Sequence, residues 1–304
     1  MNRTHPRVSI VIPAYYSDVT IGSCLEALRA QSFQDFETIV VNSSPESRTG
    51  CLVRDRFPWV RFEQSDARLL PHAARNRGVS LTRGDLLVFT DPDCRARPDW
   101  LEWLVRAHDA GHPVVGGGME LIGRDWLERG VHLCKFSWQL SGLPPGPRWI
   151  LPTANACYAR QVWDVAGPLD GDRFGADGLL SWRARRHGYE PWFEPRAVVE
   201  HRHPGTIGDL WRQRLARGRE FATMRIEFER WSRPRAVGNL AALPLLVPLV
   251  LARAARDSIR GGWGRDYLET LPVQAVGQCA WSLGEARGQL TYLRNDSKAL
   301  AAGP

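Results

Sequence analysis

The sequence predicts an α/β protein in which a mostly parallel sheet is flanked by helices and followed by a helical carboxyl-terminal region. Two observations predict this fold class. Strand-like and helix-like segments alternate through the first hundred residues with short breaks between them. The last part of the chain instead carries a basic segment and then a long apolar run. We therefore predict two domains, residues 1–205 and 206–304, with a nucleotide-sized crevice at the carboxyl edge of the sheet in the first.

The elements of the first domain follow from the apolar patterns. Four β-rich apolar runs predict strands at residues 8–12, 38–41, 60–62 and 86–90. The intervening segments predict helices at residues 21–31, 45–56 and 71–82, the first from its apolar spacing and the third from Pro71 in its first turn. Because strands linked by helical crossovers run parallel with right-handed connections, we expect one parallel sheet.

Composition and charge limit the function classes. A chain of 304 residues is long enough for one large core and an appended region. Its six cysteines form no CxxC pair, and the apolar run at 8–12 is too short for a signal peptide, so we expect a reducing cytoplasm. The formal charge of +7 suits an anionic surface or nucleic acid. No nucleic-acid-binding motif is recognised, so we do not expect nucleic acid as a partner.

The fourth predicted strand runs directly into Asp91-Pro92-Asp93, two carboxylates separated by one residue. A continuous apolar run is typical of an inner strand of a parallel sheet, and such sheets bind ligands beyond the carboxyl ends of their strands. Carboxylates held at that position suit Mg²⁺ or Mn²⁺ bridging a diphosphate. The alternative is an acidic turn that only ends the strand.

Several motifs, in order along the chain, resemble those of the family 2 glycosyltransferases. The similarity spans residues 7 to 205, with a weaker similarity as far as residue 290. The similar segments are residues 8–15, residues 24–31, Ala74-Arg75-Asn76-Arg77-Gly78, Asp91-Pro92-Asp93, Pro168-Leu169-Asp170, residues 177–188 and Val199-Glu200-His201. The resemblance implies the GT-A fold, a Rossmann-like and mostly parallel sheet flanked by helices.

The resemblance also implies an activity and a set of site residues. It implies inverting transfer of a sugar from a nucleotide-diphosphate sugar to a hydroxyl of a carbohydrate or lipid-linked acceptor, such as a polysaccharide or glycolipid. Asp177 would be the base, because an acceptor hydroxyl is a poor nucleophile at neutral pH. Asp91, Asp93 and His201 would bind Mg²⁺ or Mn²⁺, which neutralises the departing diphosphate. The residues implied to contact the nucleotide sugar are Pro13, Ala14, Tyr15, Asn42, Ser43, Arg75, Asn76 and Asp91.

Two positions depart from the family pattern. Asn42 stands where the family usually has an Asp that recognises the nucleobase, and an amide cannot make the charge-assisted bond of a carboxylate. Ala176 stands where the family usually has a Glu before the base. Both departures favour an alternative hypothesis, a catalytically degenerate glycosyltransferase-like protein that serves for binding or as a scaffold.

The individual site residues also have structural alternatives. Asp177 precedes a helix predicted at 179–186 and is a candidate N-cap. His201, like His203 two residues later, is a candidate structural or surface histidine. Arg75, on a basic helix, is a candidate solvated charge.

The carboxyl-terminal region combines charge with apolar length. Residues 211–235 carry eight Arg against three Glu, and residues 236–252 are seventeen uncharged residues interrupted by Pro244 and Pro248. This length is at the lower limit for a membrane-spanning helix, and the prolines are expected to break or kink it. With a weaker run at 271–284, it predicts interfacial or re-entrant helices on an anionic membrane. Spanning helices and an ordinary buried helix pair are the alternatives. We predict a cytoplasmic protein at the inner face of the cell membrane.

Overall fold

The computed structural model describes residues 5–46, 48–123, 125–203 and 205–301, with side chains described as far as residue 294. The chain divides into two compact units, Met1–Ile122 with Leu143–Arg202, and Gly123–Gly142 with His203–Pro304. Residues 123–142, which the sequence analysis placed in the first domain, therefore cluster with the second unit. The functions predicted for the two parts of the chain remain predictions.

Within the described ranges, the first unit is built on a mixed sheet of nine strands in the order β3-β2-β1-β4-β8-β6-β9-β5, with β7 paired to β9. The strands β1 to β4 are parallel, β8 runs antiparallel between β4 and β6, and β6 and β9 are parallel to each other. The mostly parallel sheet is thus confirmed. The strands are β1 (Val8–Ala14), β2 (Phe36–Asn42), β3 (Arg61–Gln64), β4 (Leu86–Thr90), β5 (Cys94–Ala96), β6 (Val114–Leu121), β7 (Gly146–Pro147), β8 (Asn155–Ala159) and β9 (Trp192–His201).

Among the residues that the structure describes, six helices belong to the same unit: α1 (Ile21–Arg29), α2 (Arg48–Arg56), α3 (Pro71–Val79), α4 (Trp100–Asp109), α6 (Arg160–Ala166) and α7 (Ala176–Arg186). Each of the four strands and three helices predicted within the first hundred residues is present; β4 has the predicted bounds, and the other elements have one or both ends shifted. The first strand does not stop before Pro13 but continues to Ala14. A proline is tolerated there because pairing with β4 ends at Val11, so beyond that residue only the β2 side of the strand is hydrogen-bonded.

The sheet and its helices approach closely at glycines that have no room for a side chain. A Cβ on Gly78 of α3 would lie 2.3 Å from Val11 Cγ1, and one on Gly117 of β6 would lie 2.0 Å from the carbonyl oxygen of Ala197. The absence of a side chain at Gly117 therefore allows β6 and β9 to approach closely. Beside it, the fully buried Asn155 donates to the carbonyls of Gly118 and Ala197 at 2.9 and 2.8 Å.

The second unit is helical. Its helices are α5 (Trp126–Phe136), α8 (Ile207–Glu229), α9 (Arg233–Arg260), α10 (Gly264–Glu269) and α11 (Leu271–Ala301). A capping box between Thr206 and Asp209 begins α8. Of the two effects expected of the prolines, a break or a kink, the break does not occur, because α9 continues through Pro244 and Pro248. The weaker run at 271–284 is the start of α11, where a Cβ on Gly284 would lie 2.2 Å from the Leu215 carbonyl oxygen of α8.

Candidate active site

The metal motif lies where strand pairing brings a distant histidine beside it. Asp93 follows β4, and the next residue, Cys94, begins β5, which pairs antiparallel with β9. In this register Cys94 is directly opposite His201, so the two side chains lie on the same face of the sheet. His201 Nε2 is 3.5 Å from Asp93 Oδ2, and the donor atoms of Asp93, Cys94 and His201 all lie within 4.8 Å of one another. Carboxylate oxygen is a preferred ligand of Mg²⁺ and Mn²⁺, and imidazole nitrogen is a common ligand of divalent transition metals, so this pair fits a divalent ion.

Asp91 is held differently from Asp93. Its carboxylate accepts a hydrogen bond from the Arg75 guanidinium of α3. Arg75 is only 2% exposed, so the alternative of a solvated surface charge is wrong. The guanidinium also lies 3.4 Å from His72 Nδ1, while its Nε has no hydrogen-bond partner among the described residues. A buried cation at the carboxyl edge of the sheet is suited to bind an anionic ligand group.

The motif around Arg75 also contains residues with structural contacts. The Asn76 amide donates to the Leu169 carbonyl at 2.8 Å and accepts from the Leu169 N–H at 3.0 Å. Ala74 packs with Ile39 of β2, and Gly78 allows α3 to approach β1. Asn76 therefore fixes the segment that leads into α7, and its predicted contact with the nucleotide sugar remains untested.

Asp177 is the second residue of α7, and the N-cap of that helix is Gly175, so the N-cap alternative is wrong. Its Oδ1 accepts from the N–H of Gly178 at 3.0 Å. Burial raises the pKa of Tyr158, and the negative charge of Asp177 raises it further. The Ser181 hydroxyl donates to the Asp177 carbonyl at 3.0 Å and lies 3.3 Å from the hydroxyl of Tyr158, which belongs to β8. Asp177 is therefore linked through Ser181 to β8, the neighbour of the strand β4 that precedes the metal motif.

The predicted nucleobase position is enclosed. Asn42 is fully buried, and its amide nitrogen donates to Gln64 Oε1 at 2.9 Å while its oxygen accepts from Ser44 Oγ at 2.8 Å. The pairing of β2 with β3 places Gln64 directly opposite Asn42 and so explains this contact. The Ser43 side chain is also hydrogen-bonded within the protein, since its hydroxyl donates to the Leu69 carbonyl at 3.2 Å. Both side chains make internal contacts, and their predicted role toward the nucleotide remains a prediction.

The end of β1 presents exposed aromatic surface instead. Pro13 and Ala14 are buried within the strand, whereas Tyr15 is 40% exposed. The Arg68 guanidinium lies 4.8 Å from the centre of the Tyr15 ring. Arg68 was missed by the sequence analysis, since nothing near it in the chain relates it to Tyr15. Cys94 was missed as well, although its place directly after Asp93 was a usable signal.

Comparison with known proteins gives the family. Residues 9–159 match the model described as Glycosyl transferase family 2. The chain is 25% identical over 257 residues to Probable glycosyltransferase YdaM of Bacillus subtilis (strain 168), covering 77% of this chain and 61% of that protein. It is 31% identical over 200 residues to Glycosyltransferase AglE of Haloferax volcanii, covering 64% of this chain and 66% of that protein. The chain belongs to glycosyl transferase family 2. It spans less than two thirds of the length of each of these two relatives.

Two solved structures are similar to this family 2 chain in fold. The mannosyltransferase PcManGT from Pyrobaculum calidifontis, in complex with GDP-Man and Mn²⁺, superposes with a TM-score of 0.56 at 18% identity, covering 90% of this chain and 87% of that one. GalNAc-T7 with UDP, GalNAc and Mn²⁺ superposes with a TM-score of 0.53 at 14% identity, covering 66% of this chain and 44% of that one. These similarities confirm the predicted GT-A fold.

Proposed function

We propose that this family 2 chain is an inverting glycosyltransferase that moves a sugar from a nucleotide-diphosphate sugar to a hydroxyl of a carbohydrate or lipid-linked acceptor. The observation that carries the proposal is the convergence of Asp93 and His201, which are distant in sequence, at the end of β4. A divalent ion bound there supplies positive charge to the diphosphate leaving group. Solved structures similar to this chain contain Mn²⁺ with UDP or with GDP-Man, which supports this choice of ligands.

The residues around the ion have separate roles in the proposal. Asp93 and His201 would hold the ion, and Asp91, which accepts a hydrogen bond from Arg75, would lie beside the diphosphate. The Arg75 guanidinium adds fixed positive charge where the diphosphate develops negative charge. Asp177 accepts the proton of the acceptor hydroxyl as that oxygen attacks the anomeric carbon from the face opposite the diphosphate. Such an in-line attack inverts the anomeric centre.

The proposal is tested by measuring the thermal unfolding midpoint with a panel of nucleotide sugars, each with and without Mn²⁺. A ligand that binds only the folded state raises the midpoint, so the true donor should raise it only when the ion is present. Asp93→Ala should abolish this metal-dependent rise. Asp99→Ala is the matched control, because Asp99 is an exposed carboxylate outside the metal motif. Metal-dependent stabilisation that survives in Asp93→Ala would refute the assignment of the site.

We also propose that α9 lies on an anionic membrane surface at the cytoplasmic face. Among the described residues it is the one helix long and apolar enough to cross a membrane, and only 11% of its most apolar window is buried. Leu245 is 73% exposed and Leu249 is 44% exposed, which disfavours the alternative of an ordinary buried helix pair. Pro244 and Pro248 each leave a helix carbonyl without its usual donor, which is less costly near water than in the hydrocarbon core.

One arginine of the basic segment at 211–235 is engaged within the helical unit. Arg214 is half-buried, its guanidinium lies 4.3 Å from the centre of the Trp281 ring, and it donates to Gln278 at 3.0 Å, so it is not a lipid-facing charge. Arg253 and Arg260 are exposed on α9 itself. Each arginine near an anionic leaflet contributes about 1 kcal/mol, and salt weakens that contribution.

Sedimentation with vesicles tests the membrane proposal. The protein should bind vesicles of anionic lipid far better than neutral ones, and high salt should release it only in part. Replacing Arg253 and Arg260 together by Gln should remove part of the salt-sensitive binding, and Leu245→Asp should remove the salt-insensitive part. Val19→Asp, which alters a loop residue that is 90% exposed, is the matched control and should bind normally. Equal absence of binding to both vesicle types would overturn the proposal.

The enclosed Asn42 favours a second candidate function, a glycosyltransferase-like binding protein without catalysis. A nucleobase cannot reach an amide that is fully buried and bonded to Gln64 and Ser44 unless these contacts open. Metal-dependent hydrolysis or transfer of the sugar that the thermal screen identifies separates the two candidates. Donor binding without any turnover would support the second.

A further inference from the structure

The cluster of Asp93, Cys94 and His201 contains a thiol that a site for Mg²⁺ or Mn²⁺ does not require. Cys94 is 2% exposed, and its Sγ lies within 4.8 Å of the donor atoms of both Asp93 and His201. The Cys94 sulfur is hydrogen-bonded to the Asp91 backbone, and the Cys94 N–H donates to the Asp91 carbonyl at 3.1 Å. The pairing of β5 with β9 therefore holds a buried sulfur beside the carboxylate of Asp93 and the imidazole of His201.

The other thiol in this region makes a hydrogen bond outside the cluster. Cys24 of α1 is also 2% exposed, but its Sγ donates to the Asp91 carbonyl oxygen at 3.5 Å. It does not belong to the group of donor atoms that lie within 4.8 Å of one another. Cys94 is therefore the thiol positioned to bind an ion together with Asp93 and His201.

The preferred ligands of divalent ions indicate which class of ion this cluster suits. Mg²⁺ and Mn²⁺ prefer oxygen ligands and gain little from sulfur, whereas Zn²⁺ and Co²⁺ bind thiolate, imidazole and carboxylate together. One sulfur, one nitrogen and one oxygen donor, all within 4.8 Å of one another, match in kind and number the three protein ligands of a tetrahedral zinc site.

We propose that Asp93, Cys94 and His201 form a binding site for thiophilic divalent ions such as Zn²⁺, and that an ion bound in this way prevents the metal-dependent binding of the nucleotide diphosphate. On binding, the Cys94 S–H bond breaks, a metal–sulfur bond forms and the proton passes to solvent. The inference rests on the proposed metal site and not on the transfer reaction.

Zinc binding should compete with nucleotide binding because of the number of coordination positions that each ion leaves open. A tetrahedral ion with three protein ligands keeps one position for an exogenous ligand, whereas an octahedral ion held by a carboxylate and an imidazole keeps several. A diphosphate that contributes oxygens from both phosphates needs more than one open position. The zinc-bound protein should therefore bind a nucleoside diphosphate weakly.

Titration with Co²⁺ tests the coordination directly, because cobalt bound to thiolate has an intense charge-transfer absorption in the near ultraviolet. Wild-type protein freed of metal should show this band, and Zn²⁺ should remove it by displacement. The band should be lost in Cys94→Ala and in Cys94→Ser, and kept in Cys157→Ala, which alters a cysteine equally buried on β8. Two replacements at residue 94 guard against misfolding of one of them, and circular dichroism checks the fold of each.

A second measurement follows UDP and GDP binding in the presence of Mn²⁺. Added Zn²⁺ should abolish nucleotide binding by the wild type. Cys94→Ala should need a higher Zn²⁺ concentration for the same effect. The increase should exceed the roughly 10- to 100-fold loss of metal affinity that follows removal of an outer-shell partner. No cobalt band in the wild type, or a band that persists in Cys94→Ala, would overturn the inference. If Mn²⁺-dependent nucleotide binding is retained in that case, the proposed function stands. If it is also absent, the metal site itself is wrong.

Discussion

Replacement of Asn76 distinguishes a structural role from a ligand contact. Asn76→Ala removes two hydrogen bonds, of 2.8 and 3.0 Å, to the backbone of Leu169, which is 2% exposed. Each bond contributes about 0.5 to 1.5 kcal/mol, and each buried partner left without a bond adds a penalty of about 1 to 3 kcal/mol when water cannot replace the amide. Allowing for partial access of water, we expect a loss of about 2 to 4 kcal/mol in the free energy of unfolding.

Urea unfolding followed by circular dichroism measures this loss, and a decrease of that size should lower the midpoint by about 1 M or more. Arg77→Ala is the matched control, since the adjacent Arg77 makes an exposed ion pair with Glu63, of a kind worth about 0 to 1 kcal/mol. Asn76→Asp keeps the acceptor and loses the donor, so its midpoint should fall between wild type and Asn76→Ala. An unchanged midpoint in Asn76→Ala, together with lost metal-dependent nucleotide binding, would refute the structural role.

Three further predictions concern other parts of the chain. Asp177→Asn should leave donor binding intact and lower turnover by about 10²- to 10⁴-fold, and unchanged turnover would contradict its role as a base. Gly78→Ala should destabilise the protein by about 1 to 3 kcal/mol, because its Cβ would lie 2.3 Å from a β1 side chain, whereas Gly22→Ala, with its nearest contact at 3.9 Å, should be neutral or stabilising in the same urea assay. Hydrogen bonds from Thr206 lower the pKa of Asp209, so the ionised carboxylate stabilises the fold above the ordinary pKa of Asp, and this stabilisation disappears as the pH falls through the lowered value. Wild type and Asp209→Asn should therefore differ in thermal midpoint at neutral pH and converge in acid, and a difference independent of pH would contradict this.

The strands and the metal motif could be predicted from sequence because their signals are local. The β4 run is apolar over its whole length and ends directly in Asp91, so its burial and its position at the carboxyl edge follow from neighbouring residues. The pairing that brings His201 to Cys94 has no such signal, because β5 has only three residues and its partner lies far along the chain. The order of family motifs, and not periodicity, indicated His201.

Two findings at the site have the same physical origin. The alternative of a solvated Arg75 is wrong because α3 places this residue against Asp91, which nothing adjacent in the sequence shows. Asn42 is bonded to Gln64 because of the register in which β2 and β3 pair, and its role toward a nucleotide stays a prediction. Both outcomes depend on contacts between segments, which a local pattern does not contain. The continuity of α9 through two prolines is likewise not predicted by local helix preference.

The insertion of β8 between β4 and β6 affects how the chain reaches its native state during synthesis. All five residues of β4 are buried, yet the edge that pairs with β8 stays open until residues 155–159 have left the ribosome. Sheets assembled from such distant segments fold slowly, and an apolar strand with an unpaired edge is prone to associate with other chains. The nascent chain is therefore most exposed to aggregation, and most in need of chaperone protection, during the interval between emergence of β4 and that of β8.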